Sequence, residues 1–149
     1  MTIATVAKFE KLTECFIKQY SKYFIIGPDG ERHYINAQLT LGEDGADSGG
    51  LAQAFDAWKK RLDNKTDTYG NFNLPALNYT REQLFFIAFG QGWAREATPL
   101  ENVRRIRIDP HSPTSFRVIG TLSNSVEFNK AFNCPVGSRM NRAEKCKIW

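Results

Sequence analysis

Two carboxylates and a run of glycines stand out near residue 45. Glu43 and Asp47 lie four residues apart in the segment Leu-Gly-Glu-Asp-Gly-Ala-Asp-Ser-Gly-Gly of residues 41–50, directly before an apolar run with helical spacing. On a helix this spacing puts both side chains on one face, about 5–6 Å apart at Cβ. Such a pair suits a site where one carboxylate binds a metal ion and the other holds a neighbouring ligand. A solvated helix face is the alternative interpretation.

Three other residues have side chains suited to chemistry, and each has an ordinary structural alternative. His111 lies in a proline-flanked segment that avoids the α region, although a lone loop histidine is commonly bonded to backbone. Arg117 offers a planar fork of donors but could be an exposed charge on a strand. Trp93 falls on an apolar helix face and could belong to the core. His33 has no motif around it and is interpreted as structural.

The elements that must position these residues are mostly helical, without internal repeats. Apolar spacing predicts a first helix over roughly residues 6–23, and a Gly-Pro-Asp-Gly turn at 27–30 predicts a hairpin of strands 24–26 and 32–35. The helix that carries Glu43 and Asp47 is expected to run toward Leu62. A polar, Gly/Pro/Asn-rich surface loop follows over residues 63–78.

The second half of the chain predicts three further helices. Thr80 and Gln83 form a capping box that opens one helix, and Pro99 begins a short helix through Ile106. Residues 116–119, Phe-Arg-Val-Ile, are typical of a short extended segment. The last helix is expected to be capped by Ser123 or Ser125, and the tail from residue 134 has no clear periodicity.

Two motifs carry a resemblance to a known family. The segment from Glu43 to the paired glycines resembles Glu-Asn-x-x-Asp followed by Gly-Gly, the third-ligand motif of the neprilysin / endothelin-converting-enzyme family of zinc metallopeptidases. The ending His111-Ser-Pro-x-x-Phe-Arg-Val, followed by Met140-Asn141 and Cys146-x-x-Trp149, is similar to the C-terminal segment of the same family. The similarity begins near Phe9 and spans nearly the whole chain.

The resemblance implies a role for each candidate residue. Glu43 becomes the third zinc ligand, and Asp47 accepts the free ring N–H of a zinc-bound histidine. His111 stabilises the oxyanion formed when zinc-bound water attacks a peptide carbonyl. Arg117 grips a backbone carbonyl of the bound peptide, and Trp93 forms a wall of the pocket for the residue after the scissile bond.

The sequence also departs from the family pattern. Asp44-Gly45 stands where the family usually has asparagine and an aliphatic residue. The glycine loosens the helix, at a cost of about 1 kcal/mol relative to alanine. The Asp44 side chain, at i+1 from Glu43, should point about 100° away from the metal face. Ala94 replaces a cysteine that many relatives carry.

No His-Glu-x-x-His, the motif that supplies two zinc ligands and the general base, occurs in these 149 residues. We therefore expect residues 1–149 to form a single partial domain, mainly α with a short β-hairpin. It would be the C-terminal part of a thermolysin-like (gluzincin) catalytic domain whose upstream remainder supplies the rest of the zinc site. A truncated gene product and a short paralogue both fit this arrangement.

The resemblance implies that this chain is the C-terminal portion of a zinc metalloendopeptidase. Such an enzyme would cleave oligopeptides on the amino side of hydrophobic residues. The chain by itself should be inactive, since one carboxylate and a neighbouring acid cannot hold catalytic zinc. The alternative is a non-catalytic pseudo-peptidase or peptide-binding module that lacks the His-Glu-x-x-His half.

The three cysteines indicate where such a chain works. By resemblance Cys15 pairs with Cys146, and Cys134 has its partner in the upstream region, which explains the odd count. Two glycosylation sequons begin at Asn64 and Asn78. Together these features favour an extracellular protein or the ectodomain of a membrane-anchored parent. A cytosolic chain with three inert thiols is the alternative.

Charge and hydropathy exclude other classes of function. The formal net charge is +4, and the densest basic cluster, residues 104–107, is too short for a nucleic-acid arm. No apolar run approaches the ~20 residues that span a bilayer. The first residues lack the charged start and long apolar stretch of a signal peptide. We therefore expect neither a nucleic-acid partner nor a membrane segment in this chain.

Overall fold

The computed structural model describes residues 2–63 and 75–148. Within these ranges the chain forms six helices and one hairpin, confirming the prediction of a mainly α fold with a short β-hairpin. In chain order the elements are α1 (Ile3–Tyr20), β1 (Phe24–Ile26), β2 (Arg32–Tyr34), α2 (Ala37–Asp63), α3 (Arg81–Gly92), α4 (Pro99–Ile108), α5 (Thr114–Asn124) and α6 (Val126–Ala131). Most of the predicted loop 63–78, including Asn64, lies outside the described residues.

The hairpin is antiparallel and closes on a short turn. Ile25 pairs with His33 in the strand register, and Gly30 adopts a φ of 78°, a conformation that glycine adopts without strain. His33 Nε2 lies 3.1 Å from each carboxylate oxygen of Asp29, across the turn. These contacts join His33 of β2 to the turn and fit a structural role for this residue.

Helix α2 is the longest element and lies at the centre, with α1 and α5 packed against it. The apolar core has two parts. One contains Leu51, Phe55, Phe86, Leu122 and Phe128, contributed by α2, α3, α5 and α6. The other surrounds the N-terminal half of α2 and contains Phe16, Tyr20, Ala37 and Cys146.

Local caps behave largely as predicted. Thr80 and Gln83 form both hydrogen bonds of a capping box at the start of α3. Ser125 caps α6 by accepting a hydrogen bond from the backbone N–H of Phe128 at 3.1 Å, so Ser125 and not Ser123 is the cap. Thr2 caps α1, which begins earlier than predicted.

The expected extended segment at residues 116–119 is wrong, because these residues lie inside α5. Phe-Arg-Val-Ile has strand propensity, but α5 buries Gly120, Thr121 and Leu122 against its neighbours. Packing of that face between α1 and α2 outweighs the local preference. The correction matters for function, since it moves Arg117 from a strand to a helix.

Cys15 in α1 and Cys146 near the C-terminus form a disulfide with a Cα–Cα distance of 5.4 Å, confirming the pairing that the resemblance implies. Cys134 is a free, half-buried thiol. Asn78 is exposed. No helix in the described ranges is long and apolar enough to cross a membrane.

Candidate metal and substrate site

One face of α2 carries the two acids singled out in the sequence. Glu43 and Asp47 are one turn apart, yet their environments differ: 43% of the Glu43 side chain is exposed, against 10% for Asp47. Asp47 is covered by Arg117 of α5, whereas Glu43 faces the loop between α4 and α5. Glu43 is therefore the acid that is open to a new ligand.

Arg117 and Asp47 form a buried bidentate pair. Arg117 donates from Nε to Asp47 Oδ2 and from Nη2 to Oδ1, both at 2.6 Å. The guanidinium carbon lies 3.8 Å from the ring centroid of Trp93, at the end of α3. The hydrogen bonds that Arg117 donates to Asp47 raise the pKa of Arg117, so the guanidinium stays charged. An arginine has five N–H groups, which leaves donors for a further acceptor.

Trp93 is half-buried and lies against Arg117 as well as against Phe89 on its own helix. The structure thus brings three of the predicted site residues together: Asp47, Arg117 and Trp93. An apolar groove of about 450 Å³ begins at Asp47 and runs between α2 and α3. It is lined by Ala46, Asp47, Gly50, Leu51, Ala54, Phe85, Ala88 and Phe89.

His111 joins the same face from the loop between α4 and α5. Its Nε2 lies 3.2 Å from Glu43 Oε2, and its Nδ1 lies 2.8 Å from Asp109 Oδ1. Asp109 also accepts from the backbone N–H of His111 at 3.0 Å and from Arg105 Nη2 at 2.5 Å. The imidazole is therefore held by one nitrogen and presents the other toward Glu43.

Asp109 and Arg105 are site residues that the sequence reasoning missed. Burial opposes ionisation of Asp109, but the hydrogen bonds from His111 and Arg105 outweigh it and lower the pKa of this carboxyl below its ordinary value. A carboxylate at that position favours a proton on His111 Nδ1. The available signal was the Asp-x-His spacing, because aspartate commonly bonds the backbone two residues ahead in a turn.

Asp44 also has a place in this region. The residue is only 1% exposed, whereas the side chain of its neighbour Glu43 is 43% exposed. Asp44 Oδ2 accepts hydrogen bonds from Thr40 Oγ1 at 2.8 Å and from Ser112 Oγ at 3.0 Å. Burial raises the pKa of Asp44 to about 6, although the two hydroxyl bonds act in the opposite direction.

The donor set fits part of a zinc site. Glu43 offers an exposed carboxylate of the kind that binds Zn²⁺, and its neighbour Asp47 has lone pairs beyond those used by Arg117. Among the described residues, no three His, Cys, Asp or Glu side chains are grouped closely enough to hold a metal ion. Glu43 is thus suited to be one ligand of several.

Comparison with known proteins places this geometry in a family. The sequence profile of Peptidase family M13 matches residues 1–148. The chain belongs to peptidase family M13. It is 42% identical to neprilysin-3 of Drosophila melanogaster, 42% to human endothelin-converting enzyme 1 and 43% to neprilysin-2 of Caenorhabditis elegans, over 146 residues in each case. These alignments cover 97–98% of this chain and 18–19% of each relative.

Solved structures show the same fold. The zinc metalloprotease Zmp1 of Mycobacterium tuberculosis in its open state matches with a TM-score of 0.84 and 26% identity, covering 99% of this chain and 23% of that one. A Haemonchus galactose-containing glycoprotein complex matches with a TM-score of 0.83 and 31% identity, covering 98% and 24%. The M13 chain described here therefore spans about a fifth of the length of these relatives.

Proposed function

We propose that this M13 chain is the C-terminal part of the catalytic domain of a zinc metalloendopeptidase, with residues 1–149 forming one partial domain. The observation that carries the proposal is the alignment of Glu43–His111 and Asp47–Arg117 along one face of α2. Two histidines and a general base, in a His-Glu-x-x-His segment outside these residues, would complete the site. Zinc bound there would supply an activated water and polarise the substrate carbonyl.

Each side chain has a specific task in this scheme. Glu43 contributes one carboxylate ligand, and Asp47 accepts the ring N–H of a ligand histidine with the lone pairs that Arg117 leaves free. With both ring nitrogens protonated, His111 would donate from Nε2 to the oxygen on which negative charge develops, while its Nδ1–H stays bonded to Asp109. The Asp109 contact at Nδ1 orients the imidazole for that donation.

Substrate binding falls to Arg117 and Trp93. The spare N–H groups of Arg117 are suited to a peptide carbonyl, and Asp47 with the Trp93 ring keeps the guanidinium in place. The apolar groove beside Phe85 and Phe89 is consistent with cleavage on the amino side of hydrophobic residues. The proposed substrates are therefore oligopeptides.

The proposed setting is extracellular, either as a secreted enzyme or as the ectodomain of a membrane-anchored parent. The Cys15–Cys146 disulfide and the exposed sequon at Asn78 support an oxidising compartment. Cys134 is expected to pair with a cysteine in the upstream remainder of the peptidase.

The first test uses the chain alone. Residues 1–149 with added zinc should not cleave a fluorogenic peptide, because catalytic zinc needs three protein ligands. The comparison is with Glu43→Ala in the same buffer, with and without a chelator. Chelator-sensitive turnover well above that of Glu43→Ala would contradict the proposal that the other zinc ligands lie outside residues 1–149.

The second test joins this chain to the upstream region with His-Glu-x-x-His, from its own gene or from an M13 relative. Glu43→Gln should lose zinc, whereas Asp47→Asn should keep more zinc and lower kcat. His111→Ala should keep zinc and lower kcat, as expected for a group that acts on the transition state. Arg117→Ala should mainly raise KM. The matched control for Glu43→Gln is Glu10→Gln, an exposed position on α1.

Metal content and steady-state kinetics separate these roles. Full zinc occupancy in Glu43→Gln together with an unchanged kcat in His111→Ala would contradict the assignment. A joined protein that binds peptides but never turns them over, despite bound zinc, would instead favour the peptide-binding module.

A further inference from the structure

We infer that Asp44 is a positioning residue, whose buried carboxyl group holds the His111 loop against α2 through a hydrogen bond from Ser112. The structural part of this inference stands on the geometry, and its catalytic consequence rests on the proposed function. Asp44 touches neither substrate nor reacting atoms in this scheme. It acts on the position of His111 through its hydrogen bond from Ser112.

The contact forms one of two parallel links between α2 and the loop. Glu43 and Asp44 are adjacent on α2, and His111 and Ser112 are adjacent in the loop. The outer link joins Glu43 to His111 at 3.2 Å, and the inner link joins Asp44 to Ser112 at 3.0 Å. Two separate contacts therefore fix the distance between the backbone of α2 and that of the loop.

The two links differ in exposure and in use. The Glu43 and His111 side chains are 43% and 39% exposed, whereas Asp44 and Ser112 are each 1% exposed. The outer link consists of the two groups that the proposed chemistry needs, so a ligand bound at Glu43 would compete with it. The inner link is free of that competition and can keep His111 near Glu43 when Glu43 is engaged.

Thr40 gives the inner link its direction. Its hydroxyl, one turn before Asp44 on α2, donates to the same Oδ2 atom that accepts from Ser112. The carboxyl group is therefore held from its own helix and cannot swing away from the loop without losing a buried hydrogen bond. What the arrangement needs is a fixed acceptor oxygen. An asparagine amide at the same position supplies such an oxygen, whereas a leucine leaves the buried Ser112 hydroxyl without its acceptor and leaves Thr40 only the carbonyl of Asn36 at 3.5 Å.

The first experiment measures loop order and is independent of catalysis. Hydrogen exchange read by mass spectrometry is compared for the wild type, Ser112→Ala, Asp44→Leu, Asp44→Asn and Thr40→Val, all in the complete protein that contains this chain. Peptides covering residues 109–114 should exchange about tenfold faster in Ser112→Ala and Asp44→Leu, since opening there no longer breaks a buried bond. Peptides from the hairpin should be unchanged.

Two variants serve as matched comparisons. Asp44→Asn should restore the wild-type exchange of the loop, because it keeps the acceptor. Thr40→Val removes the other hydrogen bond of Asp44 but not the link to the loop, so its loop exchange should stay closer to the wild type than that of Ser112→Ala. Where Asp44→Leu does not fold, Ser112→Ala still removes the link with the smallest change.

The second experiment asks whether the link positions His111 for catalysis. In zinc-loaded complete protein, Ser112→Ala should lower kcat by roughly 10- to 100-fold with zinc content retained, the effect of a misplaced catalytic group. KM should change by no more than about twofold. Adding Asp44→Asn to Ser112→Ala should cost little more, since both changes act on one contact.

The outcomes separate this inference from the proposed function. Unchanged loop exchange in Ser112→Ala, or equal effects of Thr40→Val and Ser112→Ala on the loop, would overturn the positioning role. The expected exchange pattern in a protein without peptidase activity would support the link and contradict the proposed function. The expected exchange pattern with unchanged kcat would overturn the catalytic part of the inference.

Discussion

At the scale of single residues, charge pairing controls how the site responds to substitution. Asp47 and Arg117 are 10% and 12% exposed and share two short hydrogen bonds. Both charges have been taken out of water, so each depends on the other for compensation. A functional variant at either position therefore carries a stability effect as well as an effect on substrate or metal.

We predict that Arg117→Ala lowers the free energy of unfolding by about 3–5 kcal/mol, because it leaves the Asp47 carboxylate buried and unpaired. The double variant Asp47→Ala/Arg117→Ala should lose less than the sum of the two single variants. Urea unfolding of the three variants gives the coupling energy. Arg104→Ala, which breaks an exposed pair with Glu101, is the control and should change little. Additive losses would mean that the pair does not act as a unit.

A second residue-scale prediction concerns pH. Burial, with a smaller contribution from the negative charge of Asp44, raises the pKa of Tyr20 well above its ordinary value of 10. Above pH 10 the unfolded chain therefore loses the Tyr20 proton while the folded chain keeps it. Stability should fall as pH rises through this range. The stability difference between wild type and Tyr20→Phe should shift against the wild type by roughly 1 kcal/mol from pH 8.5 to pH 11. Parallel curves of unfolding free energy against pH for the wild type and Tyr20→Phe would contradict this prediction.

At the scale of elements, the close approach of α1 and α5 brings Arg117 over α2. Gln19 of α1, 1% exposed, donates to the carbonyl of Gly120 at 3.1 Å and accepts from Asn124 at 2.8 Å. A Cβ atom on Gly120 would lie 2.3 Å from the Tyr20 hydroxyl oxygen and 2.4 Å from its ring carbon Cζ. Glycine at 120 is therefore required by the neighbouring helix.

We predict that Gly120→Ala destabilises the fold by at least ~1–3 kcal/mol, since the added methyl group must push α5 away from Tyr20. The matched control is Gly90→Ala within α3, where an added Cβ meets nothing nearer than Val118 Cγ1 at 3.9 Å. That variant should be neutral or stabilise by up to about 1 kcal/mol, the helix preference of alanine over glycine. Thermal unfolding of both variants makes the comparison. Equal behaviour would argue against the close packing of α1 on α5.

At the scale of the whole molecule, the C-terminal tail is tied to α1 and to the C-terminal end of α5. The disulfide joins residues that are 131 positions apart, and the backbone N–H of Cys146 donates to Asn124 Oδ1 at 3.0 Å. Lys145 Nζ donates to the carbonyl of Ser123 at 3.1 Å. Meanwhile apolar side chains on the first turns of α1, such as Ile3 at 90% exposure, have little cover. Because these apolar side chains contribute little burial, the links made by the tail should contribute much of the stability of this chain.

We predict that Cys15→Ser lowers the free energy of unfolding by about 4–5 kcal/mol, the chain-entropy value for so long a loop. The variant should also aggregate more readily, because unfolding exposes additional apolar surface. Cys134→Ser, which leaves the disulfide intact, is the control. Denaturant unfolding and light scattering measure both effects, and non-reducing peptide mapping checks the pairing. Dominant linkage of Cys134 to Cys15 or Cys146 would contradict the structure.

The sequence by itself determined the features that depend on neighbours along the chain. Helical spacing and caps located most helices, and the i,i+4 spacing put Glu43 and Asp47 on one face of α2. The whole-chain motif resemblance indicated the family. These properties follow from local backbone geometry, which repeats every few residues.

Only the tertiary structure decided what happens between distant segments. It made residues 116–119 helical and paired Asp47 with Arg117, 70 positions away. It also joined Asp44 to Ser112 across 68 positions. Such contacts depend on how α2, α5 and the His111 loop pack, and no local pattern encodes their distances. Burial then gave these side chains their partners, because a buried polar group without a partner is costly.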